Sequence, residues 1–354
     1  MASLSLLPIL DGDPNRNHPV FITSGQMRRR DIFPLLGAAT LVPMLSSGSS
    51  AQQATPVVGF LYAGPPEPNG DRVVAFRKGL SEAGYVQDRN VAIEFRWAQR
   101  DEQLPELAFD LVRQRVSLIV TPVSTQATLA AKAAAAGTTP IVFAVGGDPV
   151  TLGLVASLNR PGGNITGVSI LNAELMPKRL ELLRQMAPNA THFNALLNPD
   201  TAFTPAVASS LTAGAKALGL QVNIFDARTD DEIAASFASI SQRPSGALLL
   251  GPDAFFTSRS GLITSLAARY SIPTMYVIRE FADAGGLISY GPDIVNVCEQ
   301  VGAYAGRILA GEKPADLPVV QSAKFQMVIN LRTAKALDLA VPPTLLATAD
   351  EVIE

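Results

Sequence analysis

The chain is poor in the residues that do covalent and redox chemistry. It has one cysteine, two histidines and one tryptophan in 354 residues. A lone cysteine forms no internal disulfide, so cysteine usage is silent about compartment. Cys298 falls in a helical pattern among apolar neighbours and reads as a buried spectator thiol. With so few soft ligands, zinc sites built from cysteine and histidine are not credible. His192, at the start of a strand pattern, reads as structural. Charge is sparse as well: 17% of residues are charged and the formal net charge is -3. Apart from Arg28-Arg29-Arg30 no basic stripe appears, which argues against a nucleic-acid partner. No GxGxxG follows a strand, and neither GxxxxGK[ST] nor GxSxG occurs. Dinucleotide, P-loop and α/β-hydrolase chemistry therefore have no signature, and no cofactor is implied.

Two series of alternating strands and amphipathic helices dominate what is present. The apolar fraction of 47% supplies ample core. The first series has strands at Val57–Tyr62, Val91–Trp97, Leu118–Thr121 and Ile141–Val145. The second has Phe193–Asn198, Val222–Asp226, Ala247–Gly251 and Thr274–Ile278. Strand–helix alternation predicts an α/β fold with parallel, doubly wound sheets. Two such series predict two Rossmann-like lobes and a cleft between them. Two later strands, Leu287–Tyr290 and the end of FQMVIN, have no place in either series. With the strand at Leu287–Tyr290 returning to lobe one and FQMVIN crossing back to lobe two, three hinge crossings join the lobes. The expected division is 52–168 plus 285–315 for lobe 1, and 169–284 plus 316–354 for lobe 2.

The N-terminal fifty residues carry a different pattern. Residues 1–26 lack periodicity and read as an upstream extension. From Met27 come MRRRDIF, the apolar run PLLGAATLVPML and the small-residue stretch SSGSSAQQ. A charged start, a short apolar run and small residues describe a signal peptide over 27–51, with twin-arginine export one route. The processed protein is then expected to be periplasmic, without a membrane span, and, with no cysteine after the apolar run, without a lipid anchor.

Loops at strand ends hold the candidate ligand-binding residues, because ligands of open α/β sheets bind outside the carboxyl ends of strands. Ser124 and Thr125 open a helix, where a hydroxyl and unpaired N–H groups suit a carboxylate. Asp148, Asn198, Asp200, Asp253 and Glu280 follow strands and offer acceptors, and Asp293 does the same. Turn and capping chemistry is the alternative role for each. Tyr62, Tyr276 and Tyr290, with Phe255, are rings able to stack on an apolar ligand. No nucleophile–base pair is evident, so no catalytic residue is assigned.

Several long stretches also resemble a known family. They are RRRDIFPLLGAA, SLIVTPVSTQATLAAKAA, DPVTLGLVASLNRPGGNITGVS, REFADAGGLISYGPD, GRILAGEKPADLPV and FQMVINLRTAKALDLAVPPTLLATADEVIE. They are similar to ABC transporter substrate-binding proteins, in the branch related to tryptophan- and tyrosine-type transporters. The resemblance runs from Met27 to the last residue. It implies a type I periplasmic-binding-protein fold with three crossovers, a small polar or amino-acid-like ligand, and a permease and an ATPase as partners. It supports the strand-end loops as cleft walls without fixing which atoms touch the ligand. A sensory module reporting to a membrane kinase would share the fold, and an exported α/β enzyme is the remaining alternative.

Overall fold

The computed structural model describes residues 55–66, 70–243 and 245–354, all within the unit Gln53–Glu354. The upstream-extension and signal-peptide readings lie outside the described residues.

The first lobe begins with β1 (Val57–Ala63), α1 (Gly70–Glu82), β2 (Ala92–Ala98), α2 (Leu104–Arg113) and β3 (Leu118–Thr121). It continues through α3 (Thr125–Ala135), β4 (Ile141–Val145) and β5 (Ile165–Ser169). The second lobe runs α4 (Asn172–Met186), β6 (His192–Leu197), α5 (Thr204–Ala217), β7 (Val222–Asp226), α6 (Asp230–Ser241) and β8 (Gly246–Leu250). Then come α7 (Ala254–Thr257), α8 (Ser260–Arg269), β9 (Thr274–Tyr276), α9 (Arg279–Asp283) and β10 (Ile288–Pro292). The chain ends with α10 (Ile294–Leu309), β11 (Val320–Gln321), β12 (Phe325–Asn330), α11 (Leu331–Ala336), α12 (Pro343–Thr348) and β13 (Glu351–Ile353).

The strands form two sheets, a six-stranded one in the order β11-β5-β4-β3-β1-β2 and a seven-stranded one in the order β13-β12-β10-β9-β8-β6-β7. All pairings are parallel except β10 with β12. Every residue of β3 and β4 is buried, as expected where helices cover both faces of a parallel sheet. One face of the first sheet packs Leu61, Ile119 and Phe143 against α2 and α3. The opposite face packs Phe60 and Val120 toward α1 and α10, in a core continuous with Phe237, Ile263 and Phe281 of the second lobe. A separate core joins α4 and α5 to Leu197, Leu249 and Ile288. Each fully buried side chain of this size contributes about 1.5–3 kcal/mol.

The chain passes between the sheets three times, the first pass close to the expected division at 168–169 and the other two displaced from it. The strand expected in lobe one is β10, and it lies in the second sheet between β9 and β12. Its Ile288 packs in the α4 core with Met275 and Ile329, so it buries more as a central strand there than at an edge of the other sheet. Residues 285–292 thus belong with the second sheet, and only α10 crosses back, packing on α1, β3, β4 and β5. Conversely, β11 leaves the expected lobe 2 segment and pairs with β5 of the first sheet. The passes fall at Ile170–Leu171, at Pro292–Asp293 and at residues 322–324. Asp293 ties the last two together: its N–H donates to the Lys324 carbonyl at 3.0 Å and its carboxylate pairs with Lys324 Nζ at 2.8 Å. Among the described residues no helix is long and apolar enough to cross a membrane.

Candidate functional site

The carboxyl ends of β1, β3 and β4 face those of β6, β8 and β9, and loops from the two lobes touch. A Cβ placed on Gly147, after β4, would stand 2.7 Å from the Phe203 Cβ in the loop after β6. Asn172 donates from its amide to the Gly146 carbonyl at 3.3 Å. Arg72 at the start of α1 pairs with Glu280 on α9 at 2.6 Å, with side-chain exposures of 7% and 33%. The lobes are therefore apposed, with several of the candidate residues beside these contacts.

The first-lobe wall is the turn from β3 into α3. Val123 takes the left-handed conformation, φ 55°, a cost of about 1–3 kcal/mol that concentrates at ligand sites. This turn sets the helix start beside Gly146, next to the Gly147–Phe203 contact. Ser124 caps the helix, its Oγ accepting the Ala127 N–H at 3.1 Å, and Thr125 Oγ1 accepts the Gly146 N–H at 3.4 Å. Thr128 secures the turn by donating to the Ser124 carbonyl at 2.7 Å. The first N–H groups of any helix have no intrahelical acceptor, so the start of α3 is suited to an anion.

The second-lobe wall centres on Asp253, which caps α7 by accepting the Phe256 N–H at 3.2 Å and accepts the Thr201 hydroxyl. Burial pushes its carboxyl above the ordinary value, although hydrogen bonds from Thr201, Phe256 and Asn198 oppose the shift. Asn198 also accepts the Asp200 N–H at 3.1 Å and, through its carbonyl, the Thr204 hydroxyl at 2.6 Å. From the opposite lobe comes Asp101, after β2. Desolvation and then the charges of Asp253 and Glu102 hold its carboxyl up too. Asp101, itself solvent-exposed, thus feels the charge of Asp253 from the other lobe. Asp101 escapes sequence reading because it sits in the polar run RDEQ, which reads as a helix start. Its position after a strand is the signal that marks it.

Tyr62, 5% exposed, meets the cleft rim through Arg72, which donates to its hydroxyl and lies over its ring at 5.6 Å from the centroid. Trp97 packs against the same ring at 5.5 Å. Glu280 joins this group through Arg72. Ser124, Thr125, Asn198, Asp253, Tyr62 and Glu280 are thus placed on the apposed walls.

Four predicted residues are engaged in other contacts. Asp148 is exposed and spends its Oδ1 on the N–H groups of Val150 and Thr151, at 2.7 and 3.2 Å. Asp200 is exposed and pairs with Arg228 at 3.2 Å. Tyr276 is a core residue at 1% exposure, stacked on Phe281 with ring centroids 4.9 Å apart. Strand alternation turns Met275 toward α4 and Tyr276 to the opposite face, under α9. Burial raises its phenol well above the ordinary range. Tyr290 packs on Phe325 at 6.2 Å, an interstrand contact between β10 and β12. Burial also pushes the Cys298 thiol up to about 12, in keeping with an unreactive side chain. A depression of about 210 Å³ lined by Arg243, Gly246, Tyr270 and Pro273 lies at the amino end of β8, away from the cleft. Among the described residues no cluster of His, Cys, Asp or Glu is placed to hold a metal.

A family model described as ABC transporter substrate binding protein matches residues 70–353. The chain belongs to this family. Among other substrate-binding proteins, it is similar to a tyrosine-binding protein of Clostridioides difficile, 28% identical over 75% of each chain. The structure of an ABC domain in complex with L-Trp from Streptococcus pneumonia is 26% identical and superposes with a TM-score of 0.78, covering 85% of this chain and all of that one. The ligand-free, open structure of a substrate binding protein with adhesive properties from Clostridium difficile gives 0.62 at 24% identity, over 84% of this chain and 99% of that one. These matches establish the two-lobed periplasmic-binding-protein fold, and the relatives named are binding proteins rather than enzymes.

Proposed function

We propose that this chain is the extracytoplasmic binding component of an ABC importer, closing its lobes on an amino acid with an aromatic side chain and delivering it to a permease. The observation that carries the ligand class is the pairing across the cleft. Asp253 is half-buried with only neutral hydrogen-bond donors, and Asp101 of the other lobe adds a second negative charge. The first N–H groups of α3, capped by Ser124, supply the donors on the first-lobe wall. An ammonium on the carboxylate side and a carboxylate at the helix start is the charge pattern of a zwitterionic amino acid. Asp253 is a better ammonium partner than Asp148, which is spent on a turn, or Glu280, which is paired with Arg72. Tyr62, Trp97, Phe203 and Phe255 flank the walls and suit an aromatic side chain. The tyrosine-binding and L-Trp-bound relatives agree with this choice.

Export rests on the signal-like pattern of residues 27–51, and delivery to a permease rests on family membership. Ligand bridging favours the apposed state by its differential affinity, and the apposed surface is what a permease would recognise. Calorimetry of the purified protein with L-tyrosine, L-tryptophan, tyramine and tryptamine tests the ligand class. Saturable binding of the two amino acids, much weakened for the amines, is expected. If none of the four binds while a sugar or another metabolite does, the assignment fails.

A further inference from the structure

A buried cation outside the described walls has no part in the proposed ligand site. Arg179, on α4, is 0% exposed. The helix packs on β8, β9 and β10. Helical side chains lean toward the helix amino end, so the guanidinium reaches back toward Asn172, where the chain has just crossed between the lobes. Its partners are all uncharged. Nε donates to the Tyr290 carbonyl at 2.8 Å. Nη1 lies 3.5 Å from both the Asn172 carbonyl and Met176 Sδ, and Nη2 lies 3.4 Å from Asn172 Oδ1. Burial lowers the proton affinity of the guanidinium, to a pKa of about 9, and leaves it charged at neutral pH.

The placement of these partners matters more than their strength. Tyr290 lies two residues before the second crossing, at Pro292–Asp293, and Asn172 follows the first. One guanidinium therefore holds the second-lobe ends of two of the three crossings. The contacts continue into the cleft. Asn172 Nδ2 donates to the Gly146 carbonyl at 3.3 Å, and the Gly146 N–H donates to Thr125 Oγ1 at 3.4 Å. Tyr290, Arg179, Asn172, Gly146 and Thr125 thus form one hydrogen-bonded chain from the hinge to the start of α3. Each long bond is weak alone, but a shared network passes displacement from one member to the next.

We infer that Arg179 is a positioning residue that fixes the hinge in the apposed geometry and, through Asn172 and Gly146, sets the first-lobe wall against the second. A plain core residue would stabilise the second lobe without altering the relation between lobes. The inference rests on the proposed binding function only for its ligand readout; its conformational readout needs no ligand.

The test uses Arg179→Met, which removes the charge and the donors while filling similar space, with Arg179→Lys and Asn172→Ala as companions. Cys298 is the sole cysteine and is buried, so Arg113→Cys on the first lobe and Lys216→Cys on the second accept spin labels selectively. Interlobe distances from double electron–electron resonance are read with and without L-tryptophan, with circular dichroism to confirm folding. Arg179→Met is expected to broaden and lengthen the unliganded distances and to weaken L-tryptophan binding by about tenfold. Asn172→Ala should shift both in the same direction, and Arg179→Lys should recover part of the loss. A folded Arg179→Met with unchanged distances overturns the inference. So does a loss of affinity for L-tryptophan but not tryptamine at unchanged distances, because that outcome makes Arg179 a ligand contact. If Arg179→Met does not fold, unchanged distances in folded Asn172→Ala and Arg179→Lys overturn it. If no amino acid binds the parent protein, the proposed ligand fails, while the unliganded distances still decide the role of Arg179.

Discussion

Gly147→Ala should weaken ligand binding while leaving each lobe intact. The methyl group would lie 2.7 Å from Phe203 Cβ and 3.2 Å from Phe203 Cγ and Leu152 Cδ1. Carbon atoms in good contact stand about 3.5–4.0 Å apart, so the overlap with Phe203 is about 1 Å. Rotation about the side-chain bonds cannot relieve it, because the Cβ position is fixed by the Phe203 backbone. Overpacking of this kind costs roughly 1–3 kcal/mol. Phe203 belongs to the other lobe, so the clash is relieved when the lobes part and its cost falls on the apposed state. An energy of this size reserved for one state of a two-state equilibrium corresponds to about a 5–150-fold change in affinity. Calorimetry with L-tryptophan measures the loss, and differential scanning calorimetry without ligand should show little change in Tm. Gly163→Ala is the control, since a Cβ there meets nothing within 4 Å. If Gly147→Ala binds as tightly as the parent protein, lobe apposition at Phe203 is not part of binding.

Asp253→Asn should abolish amino-acid binding yet raise the Tm of the unliganded protein, because it removes a half-buried charge whose partners are neutral. The raised carboxyls of Asp253 and Asp101 have a matching pH signature. Their folded-state values lie above the unfolded ones, so the unliganded protein gains stability from them as pH falls toward the ordinary carboxylate range, and amino-acid affinity falls over the same span. Melting curves and titrations from pH 7 to pH 4 check both, and Asp253→Asn should flatten the difference. Breaking the part-buried Arg72–Glu280 pair with Glu280→Gln should raise the ligand dissociation rate in stopped-flow measurements, with a coupling energy of about 1–3 kcal/mol in a double-mutant cycle with Arg72→Met. Asp200→Ala should leave L-tryptophan affinity unchanged by calorimetry, because that carboxylate is spent on an exposed pair with Arg228.

Much of this architecture can be read from residue patterns. The runs LIVT and IVFAV are too uniformly apolar to be half-exposed strands, and both prove buried throughout. Ser124 and Asp253 combine a strand end with a helix start, and both are caps on the cleft walls. What escapes has physical causes. The segment LISYGP is short and bounded by turns, so its own pattern does not say which sheet it enters; the match of Ile288 to the α4 core does. Tyr276 lies on a three-residue strand, too brief for alternation to reveal its buried face. Asp148 sits in a DPV turn where local N–H groups claim its carboxylate, and the Asp200 carboxylate is taken by Arg228, distant in sequence. Arg179 shows a subtler signal: it lies three residues after Met176 and four before Leu183, a cation on the apolar side of α4.

Charge placement in the cleft is the centre of the account, and a crystal structure of the L-tryptophan complex measures it most directly. The ligand ammonium should lie within hydrogen-bonding distance of Asp253, with Asp101 beside it and the carboxylate on the first N–H groups of α3. A ligand bound outside the cleft, or bound with its carboxylate toward Asp253, would contradict it.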